Sequence, residues 1–137
     1  MNRRGVLIAS VSAAGLVTAL AAFPEGPKPL RIDARTMADL KALRAEPKFL
    51  DLPGAPAVEE RRRLEPLINQ LIDRLIAGVQ ANPTDAWVLA QMDPTVKAFH
   101  LEDTEARERC LNYIETIFRI LGIPNDRGAF RKYMIFW

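Results

Sequence analysis

The chain has 137 residues, with 19 lysines and arginines against 17 aspartates and glutamates, one cysteine and one histidine. This length allows one domain with its own hydrophobic core, and a single cysteine excludes an intrachain disulfide. Arg3 and Arg4 account for the excess positive charge, so that beyond residue 21 the charged side chains balance at 17 of each sign. Such a domain has no general electrostatic attraction for nucleic acid, and we expect no nucleic-acid partner.

Residues 1–21 predict an export leader. The paired arginines precede an uncharged run of 19 residues up to Phe23, and Ala19-Leu20-Ala21 is an A-x-A cleavage signal. We therefore expect cleavage between Ala21 and Ala22 and an exported, periplasmic domain. The arginine pair also resembles a twin-arginine leader. The alternative is an uncleaved anchor that tethers the domain to the inner membrane, because the uncharged run approaches the roughly 20 residues that span a bilayer. That anchor would be the only membrane contact.

A proline-rich stretch at residues 22–32 predicts a linker that lifts a single helical domain, residues 33–137, away from the leader. Asp33 or Thr36 can cap the first helix, which ends before Pro47. Its predicted apolar face is Met37, Leu40 and Leu43. The following apolar residues predict an extended strap across the core, closed by a proline-glycine turn: Phe49, Leu50, Leu52, Pro53 and Gly54.

Two further stretches carry apolar side chains over about half of a helix circumference, which is wider than the stripe needed to lie on one flat surface. The first runs from Val58 to Ala81 and includes Leu64, Leu67, Ile68, Leu71, Ile72, Leu75, Ile76 and Val79. The second includes Ala106, Cys110, Leu111, Tyr113, Ile114, Ile117, Phe118, Ile120 and Leu121. The first is the predicted central helix, bent at Pro66, with neighbours on both flanks. We expect the two broad helices to pack against each other.

Thr84 can cap a helix between these two, and Asp93-Pro94 predicts either a further turn or a kinked continuation over residues 96–99. Gly122 and Ile123 predict a Schellman ending for the second broad helix. Asn125 or Asp126 can cap a last short helix that buries Phe130, Met134 and Trp137. The fold class is therefore all-α, a compact bundle of four to five helices behind the leader.

The residue inventory excludes most catalytic designs. The serines, Ser10 and Ser12, lie in the leader, and no zinc-ligand spacing, phosphate-binding glycine loop or calcium loop occurs. His100 and Cys110 are the one pair that can be written as base and nucleophile. Because Cys110 lies on an apolar stripe, we interpret it as a structural thiol. His100 with Glu102 and Asp103 is the alternative metal set, and we interpret it as solvated or capping. We expect no catalytic residue, cofactor or metal.

Candidate partner-binding residues are basic or aromatic. They are Arg61, Arg62, Arg63, Trp87, Arg127 and Arg131. The arginines predict either a patch for an anionic partner or a solvated helix face, with Arg63 paired to Glu59 one turn earlier. Trp87 predicts either an interface anchor or peripheral core.

The C-terminal third resembles the end of a bacterial family of small proteins classed as domain of unknown function 4844. The resemblance lies in an acidic-basic lead-in, an aromatic in mid-helix, an Ile-Leu-Gly-Ile helix end, a polar turn with glycine and an aromatic C-terminus. The matching residues are Glu108, Arg109, Cys110, Tyr113, Ile120, Leu121, Gly122, Ile123, Asp126, Gly128 and Tyr133 to Trp137. Pro124 and Arg127 depart from the pattern. The resemblance implies a compact helical domain and no known active site.

These observations favour a non-catalytic, exported helical protein that binds another protein, such as an inhibitor or an immunity protein. The alternative is a periplasmic carrier with an apolar cavity between the two broad helices. An enzyme that relies on carboxylates and arginines alone is the third class, which nothing in the residue spacing selects.

Overall fold

Four α-helices and a short 3₁₀ helix make up the fold of the computed structural model, which describes residues 25–50 and 58–133. The α-helices are α1 at Ala34–Ala45, α2 at Val58–Gly78, α3 at Asp85–His100 and α4 at Thr104–Leu121. The 3₁₀ helix is Arg131–Tyr133. Within these ranges the backbone forms no strand beyond one isolated bridge, between Pro29 and Thr84. The predicted all-α bundle is confirmed.

Several predictions concern residues outside the described ranges. They are the leader with its cleavage site at Ala21 and Ala22, the end of the strap at Leu52, Pro53 and Gly54, and the last aromatic residues, including Trp137.

The two broad helices stand diagonally opposite each other. α2 packs on α1 and α3, and α4 packs on the same two helices. The expectation that the two broad helices pack against each other as direct neighbours is therefore wrong. The prediction that α2 has a neighbour on each flank is confirmed. An apolar face over half of a helix is covered better by two flanking helices than by one partner.

The core lies inside this ring of four helices. The inward side chains of α2 and α4 are at most 4% exposed: Leu64, Ile68, Leu71, Ile72, Leu75, Ala106, Cys110, Ile114, Ile117 and Leu121. α3 adds Val88, Leu89, Met92, Val96 and Phe99, and α1 adds Met37, Leu40 and Leu43. At about 25 cal/mol per Å² of apolar area, this burial is the main stabilising contribution to the fold.

The helix ends follow the local sequence signals. The Asp33 carboxylate accepts a hydrogen bond from the Thr36 backbone N–H at 2.9 Å, so Asp33 is the cap of α1. Gly122 has φ of 76°, and the Ile123 N–H donates to the Phe118 carbonyl at 2.9 Å, which is the predicted Schellman ending. Pro66 and Pro94 both lie inside continuous helices, so the continuation of α3 to His100 is the correct alternative.

Contacts between neighbouring helices show that they run antiparallel. Arg44 near the end of α1 contacts Asp73 in α2 at 2.7 Å, whereas the backbone N–H of Lys48 reaches the earlier residue Glu65 at 2.6 Å. The bundle therefore has two distinct ends. The α3–α4 end holds the turn at Leu101–Asp103, the chain after α1 and the start of α2. The α2–α3 end holds residues 79–84 and the start of α3.

A buried ion pair closes the α2–α3 end. The Arg127 guanidinium lies 3.1 Å from the Asp85 carboxylate, and the two side chains are 13% and 4% exposed. Arg127 also donates to the carbonyl of Gly26 at 2.8 Å, and the Asp85 carboxylate accepts the backbone N–H of Lys28 at 2.7 Å. We call these four residues the clasp. It holds the second half of the proline-rich stretch against the domain rather than apart from it.

We expect the clasp to contribute strongly to stability. Removing one partner of a buried ion pair leaves the other charge without compensation, so R127A should lower the free energy of unfolding by about 3–5 kcal/mol. Denaturant unfolding of the purified protein measures this change. As control, R131A removes an exposed arginine of the same segment, and its effect should stay within about 0.5 kcal/mol. Equal effects of the two substitutions would contradict the clasp.

A second stability prediction concerns Trp87. A Cβ atom on Gly78 would lie 2.6 Å from Cζ2 of the Trp87 ring, closer than real contacts allow. G78A should therefore lower the free energy of unfolding by about 1–3 kcal/mol through overpacking. In a W87F background, the ring atoms in question are absent and the same substitution should cost little. If G78A were equally costly in both backgrounds, the contact with Trp87 would not be its cause.

Candidate protein-binding surface

Arg63, in the first half of α2, is neutralised within the chain. Its guanidinium forms two hydrogen bonds to the Glu102 carboxylate, one of them at 2.8 Å, and a third to Glu60 at 2.8 Å. These hydrogen bonds, chiefly those with Glu102, raise the pKa of Arg63, and Arg63 in turn lowers the pKa of Glu102. The predicted pairing of Arg63 with Glu59 is wrong, because Glu60 and Glu102 occupy the guanidinium.

Arg61 and Arg62 have no such partner. Within residues 25–50 and 58–133, neither guanidinium forms an ion pair, and the Nε atom of Arg61 is buried without a hydrogen-bond partner. Both residues line a shallow groove of about 160 Å³ together with Val58 and Glu65. This spacing places the four residues along one face of α2. The groove therefore combines two arginines without an ion pair among the described residues, one apolar side chain and the Glu65 carboxylate, which accepts the Lys48 N–H.

Exposed apolar side chains mark the same end of the bundle. Leu101 is 85% exposed, Val58 53% and Leu50 50%, and they are the large hydrophobic side chains that stay mostly exposed in the described part of the chain. Leu101 lies in the α3–α4 turn beside Glu102, the partner of Arg63. Single exposed leucines are ordinary, but three such side chains at one end form a candidate contact surface.

Lys48 and Phe49 fix the chain that presents Leu50. Lys48 is fully buried, and its ammonium donates to the carbonyls of Leu43, Arg44 and Glu46 at 2.8, 3.3 and 2.7 Å, which satisfies the end of α1. Burial lowers the pKa of this ammonium. Phe49 adopts a left-handed φ of 63°, a conformation that L-residues rarely hold without support from their surroundings.

The support for Phe49 comes from aromatic packing. Its ring stacks on Phe99 with centroids 5.9 Å apart and meets the edge of Tyr113 at 5.3 Å, while its backbone N–H donates to the Tyr113 hydroxyl at 2.9 Å. The strap is therefore anchored across α3 and α4 up to Phe49. Leu50 follows directly after this anchored residue.

The other sequence candidates lie elsewhere. Arg127 belongs to the clasp at the α2–α3 end, and Arg131 is exposed in the 3₁₀ helix. The Trp87 ring packs on Gly78 at the α2–α3 end and joins the edge of the core. The structure thus brings together Arg61, Arg62 and Arg63 and separates them from Arg127 and Trp87.

No clear pattern in the sequence predicts the apolar part of this surface. Leu101 and Leu50 belong to no helical stripe, and Val58 lies before the regular apolar repeat of α2. The one available hint was a leucine among polar residues at the predicted start of α4, next to Glu102 and Asp103. The ion pair of Arg63 with Glu102 was also not predictable from a local pattern, since the two residues are 39 positions apart.

Cys110 and His100 do not form a nucleophile pair. Cys110 is fully buried, and no hydrogen bond joins the two side chains. His100 Nδ1 lies 2.7 Å from the Tyr133 carbonyl, so this nitrogen carries the proton and donates it. Asp103 caps α4 by accepting the Ala106 N–H at 2.9 Å. Among the described side chains, no group of histidine, cysteine, aspartate and glutamate is arranged to hold a metal ion.

Across the two described ranges, no helix has both the length and the apolar content required for a membrane crossing. Residues 31–135 match the model of a family described as a domain of unknown function, DUF4844. No curated protein and no solved structure shows significant similarity to the chain.

The buried state of Cys110 makes a direct prediction. Burial raises the pKa of its thiol to about 12 from an ordinary 9.0. At pH 8 the thiolate fraction is then roughly a thousandfold lower than for a free thiol, and disulfide reagents react with the thiolate. We expect an aromatic disulfide reagent to label the native protein at least a thousandfold more slowly than the guanidinium-unfolded protein. Similar rates would show that the thiol is accessible.

Proposed function

Because the chain belongs to the family described as domain of unknown function 4844, whose description states no activity, we propose a function from its surface: a non-catalytic protein-binding module. The contact surface is the α3–α4 end, formed by Leu50, Val58, Arg61, Arg62 and Leu101. The observation that carries the proposal is that the mostly exposed large apolar side chains of the described residues lie at this end of the bundle, while the core side chains are buried.

The charges of the surface define the partner. Arg63 is neutralised by Glu60 and Glu102, while Arg61 and Arg62 have no ion pair among the described residues. A complementary partner supplies carboxylates to these two arginines and an apolar side chain to Leu101. The partner is therefore an acidic protein surface with an apolar centre. Nucleic acid is disfavoured, because the charged side chains beyond residue 21 balance.

Export and the class of partner follow from the same reasoning. The leader-like residues 1–21 support an exported, periplasmic protein, and a small helical module that uses its surface rather than a catalytic centre fits an inhibitor or immunity protein. The carrier hypothesis gains no support from the groove on α2. Its roughly 160 Å³ is below the size of ordinary ligand sites, and charged side chains line it.

Site-specific photo-crosslinking tests the proposal in the producing cells. A photoreactive amino acid replaces Leu101 in the full chain, and a matched variant carries it at Gln80, an exposed position at the opposite end of the bundle. We expect a specific protein adduct from position 101 and none from position 80. Mass spectrometry identifies the adduct, and the partner is then purified for binding measurements.

Binding of the purified partner decides the outcome. L101D and R62E should each weaken binding at least about tenfold, since each removes roughly 1.4 kcal/mol or more from the centre of the contact. Q80E should leave the affinity unchanged, and higher salt should weaken binding of the wild type more than of R62E. Equal adducts from both positions, or a partner insensitive to L101D and R62E, would contradict the proposal.

A further inference from the structure

The clasp at the α2–α3 end recognises residues 26–30 almost entirely through their backbone. Asp85 accepts the N–H of Lys28 at 2.7 Å and returns its own N–H to the Lys28 carbonyl at 3.0 Å. Arg127 donates to the Gly26 carbonyl at 2.8 Å, and the Leu30 N–H donates to the Pro83 carbonyl at 2.7 Å. Alternating backbone contacts of this kind are how proteins hold extended peptides.

The receiving side is held by contacts that do not involve the segment. Arg127 has a left-handed φ of 52°, and its backbone N–H donates to the Asn125 side chain at 2.8 Å. The next two bonds of this turn run from the N–H groups of Gly128 and Phe130 to the Asp126 carboxylate. The strained turn aims the guanidinium at Asp85 and Gly26. A strained residue held by its surroundings is a reason to look for a function.

The segment itself has the character of a ligand. Pro27 and Pro29 keep it extended at low entropic cost, and Gly26 supplies a φ of 76°. The Lys28 side chain is exposed and pairs, among the described residues, only with the exposed Glu25, so it is not needed for docking. The Glu25 carboxylate, just before the segment, adds a peripheral ion pair to Arg127 at 3.8 Å. Leu30 adds a partly buried apolar anchor. The segment also precedes residues 31–135, the part of the chain that matches the family.

We propose that Asp85, Arg127 and the Pro83 carbonyl form a peptide-binding site that reads the backbone of an extended, proline-interrupted segment, and that residues 26–30 fill it in cis. The ligand in trans is a segment of another polypeptide with the same pattern, a glycine followed by alternating prolines and an apolar anchor. Residues 26–30 compete with this ligand for the site. The site therefore becomes accessible to a partner when the binding of residues 26–30 is weakened. This site lies at the opposite end of the bundle from the surface proposed above.

Full-chain variants that weaken the internal ligand alone provide the test. K28P removes the N–H that Asp85 accepts, and G26V places a β-branched residue at a φ of 76° where the added side chain meets open space. K28A is the matched control, because it keeps the backbone N–H and removes only an exposed side chain. The probe is a fluorescein-labelled peptide of residues 25–32, followed by fluorescence anisotropy.

We expect saturable peptide binding to K28P and G26V that is at least about tenfold tighter than binding to the wild type or K28A. A peptide with proline in place of Lys28 should not bind. Amide exchange at Leu30 shows whether the internal segment has been released. Release without peptide binding would overturn the proposal, as would full protection of Leu30 in both variants. Loss of the helical circular-dichroism signal in both would also overturn it, because the segment would then be part of the fold.

Discussion

The structure depends on the need to cover two helices whose apolar faces span about half of their circumference. A single flat partner cannot cover such a face, so α2 and α4 each pack between α1 and α3. This requirement gives each of the two helices a neighbour on both flanks. The inward apolar side chains of all four helices are buried as a result, with exposed fractions of at most 8%.

The apolar faces of the helices are buried in the core. The two ends of the bundle differ in the contacts that they form. At the α2–α3 end, a buried ion pair joins α3, the chain after α4 and the proline-rich segment. At the α3–α4 end, the intramolecular pairing of Arg63 with Glu102 leaves Arg61, Arg62 and Leu101 available to a partner. The chain thus has one end that binds its own N-terminal segment and one end that we propose as a contact surface for another protein.

The parts of the fold that rest on local signals were predictable from the sequence. The cap at Asp33, the Schellman ending at Gly122 and the burial of Cys110 each depend on residues within a few positions or on a regular apolar repeat. The mutual placement of α2 and α4 was not predictable in the same way. A broad apolar face shows that neighbours are needed on both flanks, but it does not identify them.

The features missed at both ends come from contacts between distant residues. Lys48 and Arg127 have no local pattern that predicts a buried ammonium or a guanidinium bound to Asp85, because their partners are brought close only by the fold. Arg63 illustrates the same limit. Its local carboxylate Glu60 lies one turn away, but the stronger partner Glu102 is across the bundle. For this reason the three consecutive arginines were recognisable as a candidate patch. That Arg63 is neutralised by Glu102 was not.

Covalent footprinting of the native protein with a photogenerated carbene, read residue by residue by mass spectrometry, tests the central claim most directly. The claim is that the large apolar side chains of the helices are buried in the four-helix core, whereas those at the α3–α4 end are exposed. The account predicts strong labelling at Leu101 and near absence of label at Ile68, Ile72, Ile114 and Ile117, with all five labelled alike after unfolding. Labelling of those four isoleucines in the native protein at a level comparable with Leu101 would contradict it.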